Sequence, residues 1–217
     1  MRVVLASTSP RRRDLFALLG IPFEVRTPAF EERVVPGRTG DDLAAGFSQG
    51  KAASVAADDP EALVLGSDTL IELEGELLGK PVDLAEARAM LRRMAGRAHL
   101  VHTAVTVVCR ARPFEATEVS TARVRMKPFD AGAHERYLAT GDSLGKAGAY
   151  SIQGPGGDLI ERLEGDFPTV VGLPLRLVAA LLTQAGVTVP VDVERLYATM
   201  PYGNWSRFQV ASRHIGG

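Results

Sequence analysis

Several short runs of this sequence carry residue types that suit chemistry on an anion. Ser7-Thr8-Ser9-Pro10-Arg11-Arg12-Arg13 stands where an apolar stretch gives way to a helical one. A helix start offers unpaired N–H groups and the positive end of the peptide dipoles, and both favour an anion. Arginines in a first helical turn work against that dipole unless an anion meets them. The run reads either as a polyphosphate site or as a solvated helix start whose arginines pair with surface carboxylates. Asp68, in Ser67-Asp68-Thr69, follows an apolar strand, and ligands of open α/β sheets gather beyond strand C-terminal ends. A carboxylate there can bind Mg2+ through oxygen, draw a proton from water, or simply make a turn.

Two further runs are of the same kind. In Leu78-Gly79-Lys80-Pro81 the proline biases Lys80 toward an extended conformation that can aim its ammonium into a cleft. In Lys146-Ala147-Gly148-Ala149-Tyr150-Ser151-Ile152-Gln153-Gly154 the glycines permit close backbone approach to a ligand. Gln153 offers a donor and an acceptor to a base edge. Each is equally readable as a plain loop. Glu32 and Lys51, taken singly, are a loop carboxylate and a mid-helix lysine.

Other signals point away from chemistry. Gly141-Asp142-Ser143-Leu144 spells the motif of a serine-esterase family, but that motif belongs after a first strand and here it follows a mid-chain helix. His99 and His102, three apart on a strand, face opposite sides and make no metal pair. No Gly-x-x-x-x-Gly-Lys-Ser/Thr loop is present, which excludes a P-loop nucleotidase. Trp205 and Phe208 read as packing residues.

The elements that must position these residues follow from pattern. Arg2–Ala6 reads as a buried strand, and Ser9 before Pro10 as the cap of a helix to about Leu19. Phe23–Thr27 is a second strand, Asp41–Ala57 a helix, and Ala62–Gly66 a strand with Asp68 just past its end. Leu70–Leu78 reads as a hairpin turning at Glu74-Gly75, and Asp83 with Glu86 as a capping box for a helix to about Met94. His99–Cys109 and Glu115–Met126 are β-rich, Asp130–Ala139 is helical, and Leu175–Ala185 is a last amphipathic helix. The tail from Val187, with Pro190, Pro201 and a glycine-rich end, reads as partly ordered. Early alternation of strands and helices followed by clustered strands gives a mixed sheet flanked by helices.

Composition sets the outer bounds. The 217 residues carry 25 basic and 26 acidic side chains, a net charge of -1 that marks no stable nucleic-acid binding and no membrane surface. Cys109 is the sole cysteine, so neither an internal disulfide nor a cysteine-built zinc site exists. No apolar run approaches a membrane span or a signal peptide, and a cytoplasmic protein is expected.

Taken together and in order, these pieces resemble the Maf family of nucleoside triphosphate pyrophosphatases, relatives of the inosine triphosphate pyrophosphatases. The resemblance rests on Leu5–Arg12, Glu32, Lys51-Ala52, Gly66–Thr69, Leu78–Pro81, Gly96–His99 with Thr103, Lys146–Gly154 and Val170–Leu175. It covers about residues 2–185, so a domain over 1–186 and a tail over 187–217 are expected. It implies an α/β fold: an elongated mixed β-sheet flanked by helices, two lobes with a cleft, similar to the inosine triphosphate pyrophosphatases. It implies hydrolysis of a nucleoside triphosphate to the monophosphate and pyrophosphate, aided by Mg2+ or Mn2+. By the family pattern Asp68 is the base, and Glu32 helps Asp68 hold the metal. Arg11, Arg12, Lys51 and Lys80 neutralise the triphosphate, and Ser9 adds a phosphate contact. Arg11, Thr69 and Gln153 match the branch acting on dTTP and UTP, with modified pyrimidines within reach. The branch acting on 7-methylguanosine triphosphate carries tryptophan, glutamine and glutamate there instead. The resemblance further implies a homodimer and a link to arrest of cell division. The competing reading is a nucleotide sensor with incidental hydrolysis. Two departures are Gly145, where the family often has an acid, and Arg33, where it often has serine.

Overall fold

The computed structural model describes residues 1–209. Its sheet begins with β1 (Val3–Ala6), in which all four residues are buried. A strand covered on both faces reads as a continuous apolar run, which is why Val-Val-Leu-Ala forms it. β2 (Phe23–Arg26) and β3 (Leu63–Leu73) flank β1 in parallel, with Val3 opposite Phe23 on one side and Leu63 on the other. β4 (Glu76–Leu78) returns antiparallel on β3, around a turn in which Glu74 and Gly75 both have positive φ, as a tight hairpin requires. β5 (Ala98–Cys109), β6 (Phe114–Met126) and β7 (Ile160–Glu164) complete a seven-stranded mixed sheet in the order β2-β1-β3-β5-β6-β7, with β4 on β3.

The expected strand end at Gly66 is corrected. β3 runs on through Ser67, Asp68 and Thr69 to Leu73, so Asp68 lies inside a strand and not on a step beyond it. A buried carboxylate is tolerated there because a buried cation meets it, as described below.

The chain folds as two compact units. The first comprises Met1–Thr69, Thr103–Ser120 and Gly172–Thr199. Its helix α1 (Pro10–Ala17) is capped by Ser9, whose hydroxyl accepts the Arg12 N–H, and has Pro10 in its first turn. Helix α2 (Gly40–Asp58) turns Leu43, Phe47, Lys51, Ala52 and Val55 inward. Val4, Ala6, Ala52, Val55, Ala56, Ala62, Val64 and Val108 form one buried apolar cluster of its core. Gly66 sets how closely α2 lies on β3: a Cβ there would stand 2.4 Å from the Ser48 carbonyl oxygen and 2.8 Å from the Ala52 nitrogen.

The second unit comprises Leu70–His102, Thr121–Val171 and, of the described residues, 200–209. Asp83 caps α3 (Leu84–Met94) by accepting the Glu86 N–H, while Glu86 accepts the Val82 N–H, so the box closes one residue earlier than the usual reciprocal bond. Asp130 caps α4 (Ala131–Ala139). The glycine-rich stretch holds two 3-10 turns, Ala147–Ala149 and Gly154–Leu159, and α5 (Phe167–Val171) follows β7.

Beyond α6 (Leu175–Gln184) the chain is more structured than its composition suggests. α7 (Val193–Thr199) is tied to α6 by Arg176, which makes a paired contact with Glu194 at 2.6–2.7 Å and lies 3.8 Å from the Tyr197 ring centre. α8 (Gly203–Gln209) buries Trp205 fully in the second unit. The last stretch of the tail, residues 210–217, lies outside the described residues. Among the described residues no helix is long and apolar enough to cross a membrane.

Candidate active site

Lys51 is the centre of the constellation in the first unit. It projects from the buried face of α2, where it is 8% exposed, and reaches Asp68 on β3, which is 4% exposed. Its Nζ donates to Asp68 Oδ1 and lies 2.5 Å from Glu32 Oε1. Three positions that look unrelated in sequence thus form one carboxylate–ammonium–carboxylate bridge. Asp68 Oδ2 is buried and accepts no hydrogen bond among the described residues. Such an atom is costly unless a ligand, an ion or a water satisfies it.

Arg12 makes the second layer. Its Nε donates to the Gly172 carbonyl at 2.9 Å, and a terminal nitrogen donates to Thr69 Oγ1 at 3.0 Å. Thr69 Oγ1 is in turn 3.0 Å from Thr103 Oγ1, and Ser67 Oγ donates to the same Gly172 carbonyl at 3.2 Å. Burial draws the Arg12 guanidinium below its ordinary range, Asp68 opposes that shift, Arg11 adds to it, and Glu32 opposes it. Arg11, Arg12 and Lys51 therefore share one electrostatic neighbourhood with Asp68 and Glu32. Three cations against two carboxylates leave this region favourable to an anion, although the whole chain is near neutral.

Ser9 spends its acceptor on the Arg12 N–H and keeps its hydroxyl hydrogen for donation. Arg33 is exposed and paired with Glu31 at 2.7 Å, so it faces water. Gly172 entered the sequence analysis only within Val170–Leu175, with no role of its own. Its φ of +118° suits glycine, and its carbonyl anchors Arg12 from 160 residues away. No local signal marks such an acceptor.

Lys80 and Gln153 lie in the second unit. Lys80 is exposed, and the carbonyl of its neighbour Gly79 accepts the Gly148 N–H at 3.0 Å, which joins its segment to the glycine-rich one. Gln153 is half-buried and precedes the second 3-10 turn. Lys146 donates to the Asp142 carbonyl and, at 2.6 Å, to its carboxylate.

The two histidines serve the second unit's interior. His99 Nε2 is 2.8 Å from the Tyr150 hydroxyl, and burial lowers its pKa to about 4 while raising that of Tyr150. His102 Nδ1 is 2.9 Å from Thr121 Oγ1.

For a metal, the donor set is small. Among the described residues no group of three or more His, Cys, Asp or Glu converges. Two carboxylates with an unsatisfied oxygen suit Mg2+, which is commonly held by one or two carboxylates together with substrate phosphates. The set fits a cation that arrives with a phosphorylated ligand.

Comparison with known proteins supplies the family. The family model described as Maf-like protein matches residues 2–185. The dTTP/UTP pyrophosphatase of Pelotomaculum thermopropionicum is 42% identical over 187 residues, which are 86% of this chain and 98% of that protein. The dTTP/UTP pyrophosphatase of Anaeromyxobacter dehalogenans is 45% identical over 196 residues, 87% of this chain and 96% of that protein. Among solved structures, the Ham1 protein of Staphylococcus aureus has a TM-score of 0.53 at 15% identity, covering 85% of this chain and all of that one. A HAM1 protein from Coxiella burnetii has a TM-score of 0.51 at 14% identity, covering 85% of this chain and 99% of that one. Those two show the same mixed α/β fold. By sequence match over most of its length, the chain belongs to the Maf-like protein family.

Proposed function

We propose that dTTP and UTP, with modified pyrimidine forms beside them, are the substrates of this chain, which as a member of its family is a nucleoside triphosphate pyrophosphatase. Water adds to the α-phosphorus, the bond from that phosphorus to the bridging oxygen breaks, and the products are the monophosphate and pyrophosphate. The observation that carries the reading is Asp68: buried, held through Oδ1 by Lys51, and with Oδ2 unsatisfied. An oriented carboxylate with an unsatisfied oxygen can take the proton of an attacking water.

Arg12 and Arg11 bind the triphosphate, and the Thr69 and Gly172 contacts fix the Arg12 guanidinium in direction. Fixed cations aimed at phosphoryl oxygens stabilise the charge that builds as pyrophosphate leaves. Glu32 and Asp68 would hold a divalent cation, whose bound form supplies further neutralisation of phosphoryl charge. Lys51 holds both carboxylates in orientation. Lys80 adds positive charge, Ser9 a hydroxyl donor, and Gln153 a neutral amide that suits a uracil or thymine edge. The dTTP/UTP assignment is supported by Arg11, Thr69 and Gln153 and by the names of the relatives.

The test is pyrophosphate release from a panel of nucleoside triphosphates, with Mg2+ or Mn2+ and with chelator, by the chain and by Asp68→Asn. Metal-dependent release favouring dTTP and UTP, lost in Asp68→Asn while nucleotide binding persists, is expected. Undiminished turnover by Asp68→Asn would overturn the base assignment. Release from no substrate would favour the sensor reading.

A further inference from the structure

Helix α8 bears on the segment that carries Gln153. The side-chain amide of Asn204 donates from one nitrogen to two carbonyls, Ile152 at 2.7 Å and Gly154 at 2.8 Å. These are the carbonyls of the residues before and after Gln153. Their contact is close enough to exclude a side chain from the neighbouring turn: a Cβ on Gly157 would stand 2.3 Å from that same nitrogen. α8 itself is anchored by Trp205, fully buried and stacked on Phe167 with ring centres 5.5 Å apart, and by Arg207, 2.9 Å from Asp158.

The anchor lies outside the family's common part. The family match ends at residue 185, and 98% of the Pelotomaculum protein already lies inside its alignment with this chain. The segment it grips needs holding, because Gly145, Gly148 and Gly154 all have positive φ and glycine leaves the backbone many alternatives.

We propose that Asn204 is a positioning residue for base recognition: α8 clasps the Ile152 and Gly154 carbonyls and thereby fixes the direction of the Gln153 amide. The proposal rests on the reading of Gln153 as the group that meets the base. A base edge is read by paired donors and acceptors, and an amide that swings loses discrimination before it loses the capacity to bind phosphates. Discrimination should therefore fall with the chemical step little changed.

The experiment uses the full chain and measures kcat and KM for UTP and GTP in Asn204→Ala, Asn204→Asp, Gly157→Ala and Gln153→Ala, with unfolding midpoints for each. Losing two neutral hydrogen bonds predicts a fall on the order of tenfold in the UTP-over-GTP ratio of kcat/KM for Asn204→Ala. The fall appears as a higher KM for UTP, with kcat at saturation within about twofold of the parent. Asn204→Asp keeps the shape but turns a donor toward two carbonyls into an acceptor, and falls at least as far. Gly157→Ala displaces the amide from the other side and reproduces the loss. The Asn204→Ala/Gly157→Ala double variant is no worse than either single one, as expected for one shared contact. If Asn204→Ala fails to fold, the aspartate and Gly157→Ala variants carry the test. An unchanged ratio in the Asn204 and Gly157 variants, with a lowered ratio in Gln153→Ala, overturns the clasp and leaves the base reading standing. An unchanged ratio in Gln153→Ala as well overturns the base reading, and the role of the clasp with it. Equal losses of kcat on both nucleotides mark a merely structural contact and overturn the proposal.

Discussion

Lys51→Met is the perturbation that best probes the bridge on which the site depends. Methionine keeps most of the apolar stem packed in α2 and removes only the ammonium. The side chains of Lys51 and Asp68 are 11% and 6% exposed, so Asp68 is left as a buried carboxylate without its contact cation. Removing one partner of such a pair typically costs about 3–5 kcal/mol. Glu32 is 37% exposed and re-solvates, which adds at most about 1 kcal/mol. Arg12 still exerts a favourable field on Asp68, which places the expected loss near the lower end, about 3 kcal/mol. For a chain of this size that corresponds to a fall in Tm of roughly 6–12 °C. In an Asp68→Asn background the stranded charge no longer exists, and Lys51→Met should cost only about 1 kcal/mol. Urea unfolding of the four proteins at pH 7 yields the coupling energy directly, expected at about 2 kcal/mol. Additive losses, with coupling below about 0.5 kcal/mol, would refute the view that Lys51 is there to meet Asp68.

Two other outcomes follow from the same geometry. His99 is 2% exposed with its pKa drawn by burial from 6.5 to about 4, so the folded state holds it neutral while the unfolded chain binds a proton across that interval. More protons on the unfolded chain mean that stability falls as pH drops from about 6.5 toward 4, by up to about 3 kcal/mol, and is unaffected by this group above 6.5. Urea midpoints measured from pH 7 to pH 4 should be steeper for the parent than for His99→Gln, and parallel curves would contradict the assignment. Gly66→Ala places a methyl group against the backbone of α2 and should cost about 1–3 kcal/mol. Because α2 carries Lys51, pyrophosphate release should fall in the same variant, and an unchanged urea midpoint with unchanged release would refute the close-approach argument.

Much of the fold was legible because its signals are local. Val3–Ala6 is apolar at every position, Ser9-Pro10 caps and opens a helix, and Glu74-Gly75 turns a hairpin. Each of these depends on neighbours within a few residues. What sequence could not convey is distance along the chain. Lys51 and Asp68 are 17 residues apart, and Arg12 and Gly172 are 160 apart. Asp68 looked like a turn residue because a carboxylate within a strand contradicts pattern unless its cation is known. The short helices α7 and α8, seven residues each, show too little periodicity to declare themselves. They exist through tertiary contacts, Arg176 with Glu194 and Trp205 on Phe167.

The bridging ammonium separates two events that many metal-dependent sites combine. Where facing carboxylates depend on an ion to hold them together, the ion's binding energy is part of the folding energy, and chelation unfolds the protein. Here Lys51 is a permanent internal counter-ion between Glu32 and Asp68. The acidic pair is shaped by the chain itself, so the chain reaches its native form without regard to the divalent-ion supply. Under the proposed function, scarcity of the ion would slow turnover and leave the amount of folded protein untouched.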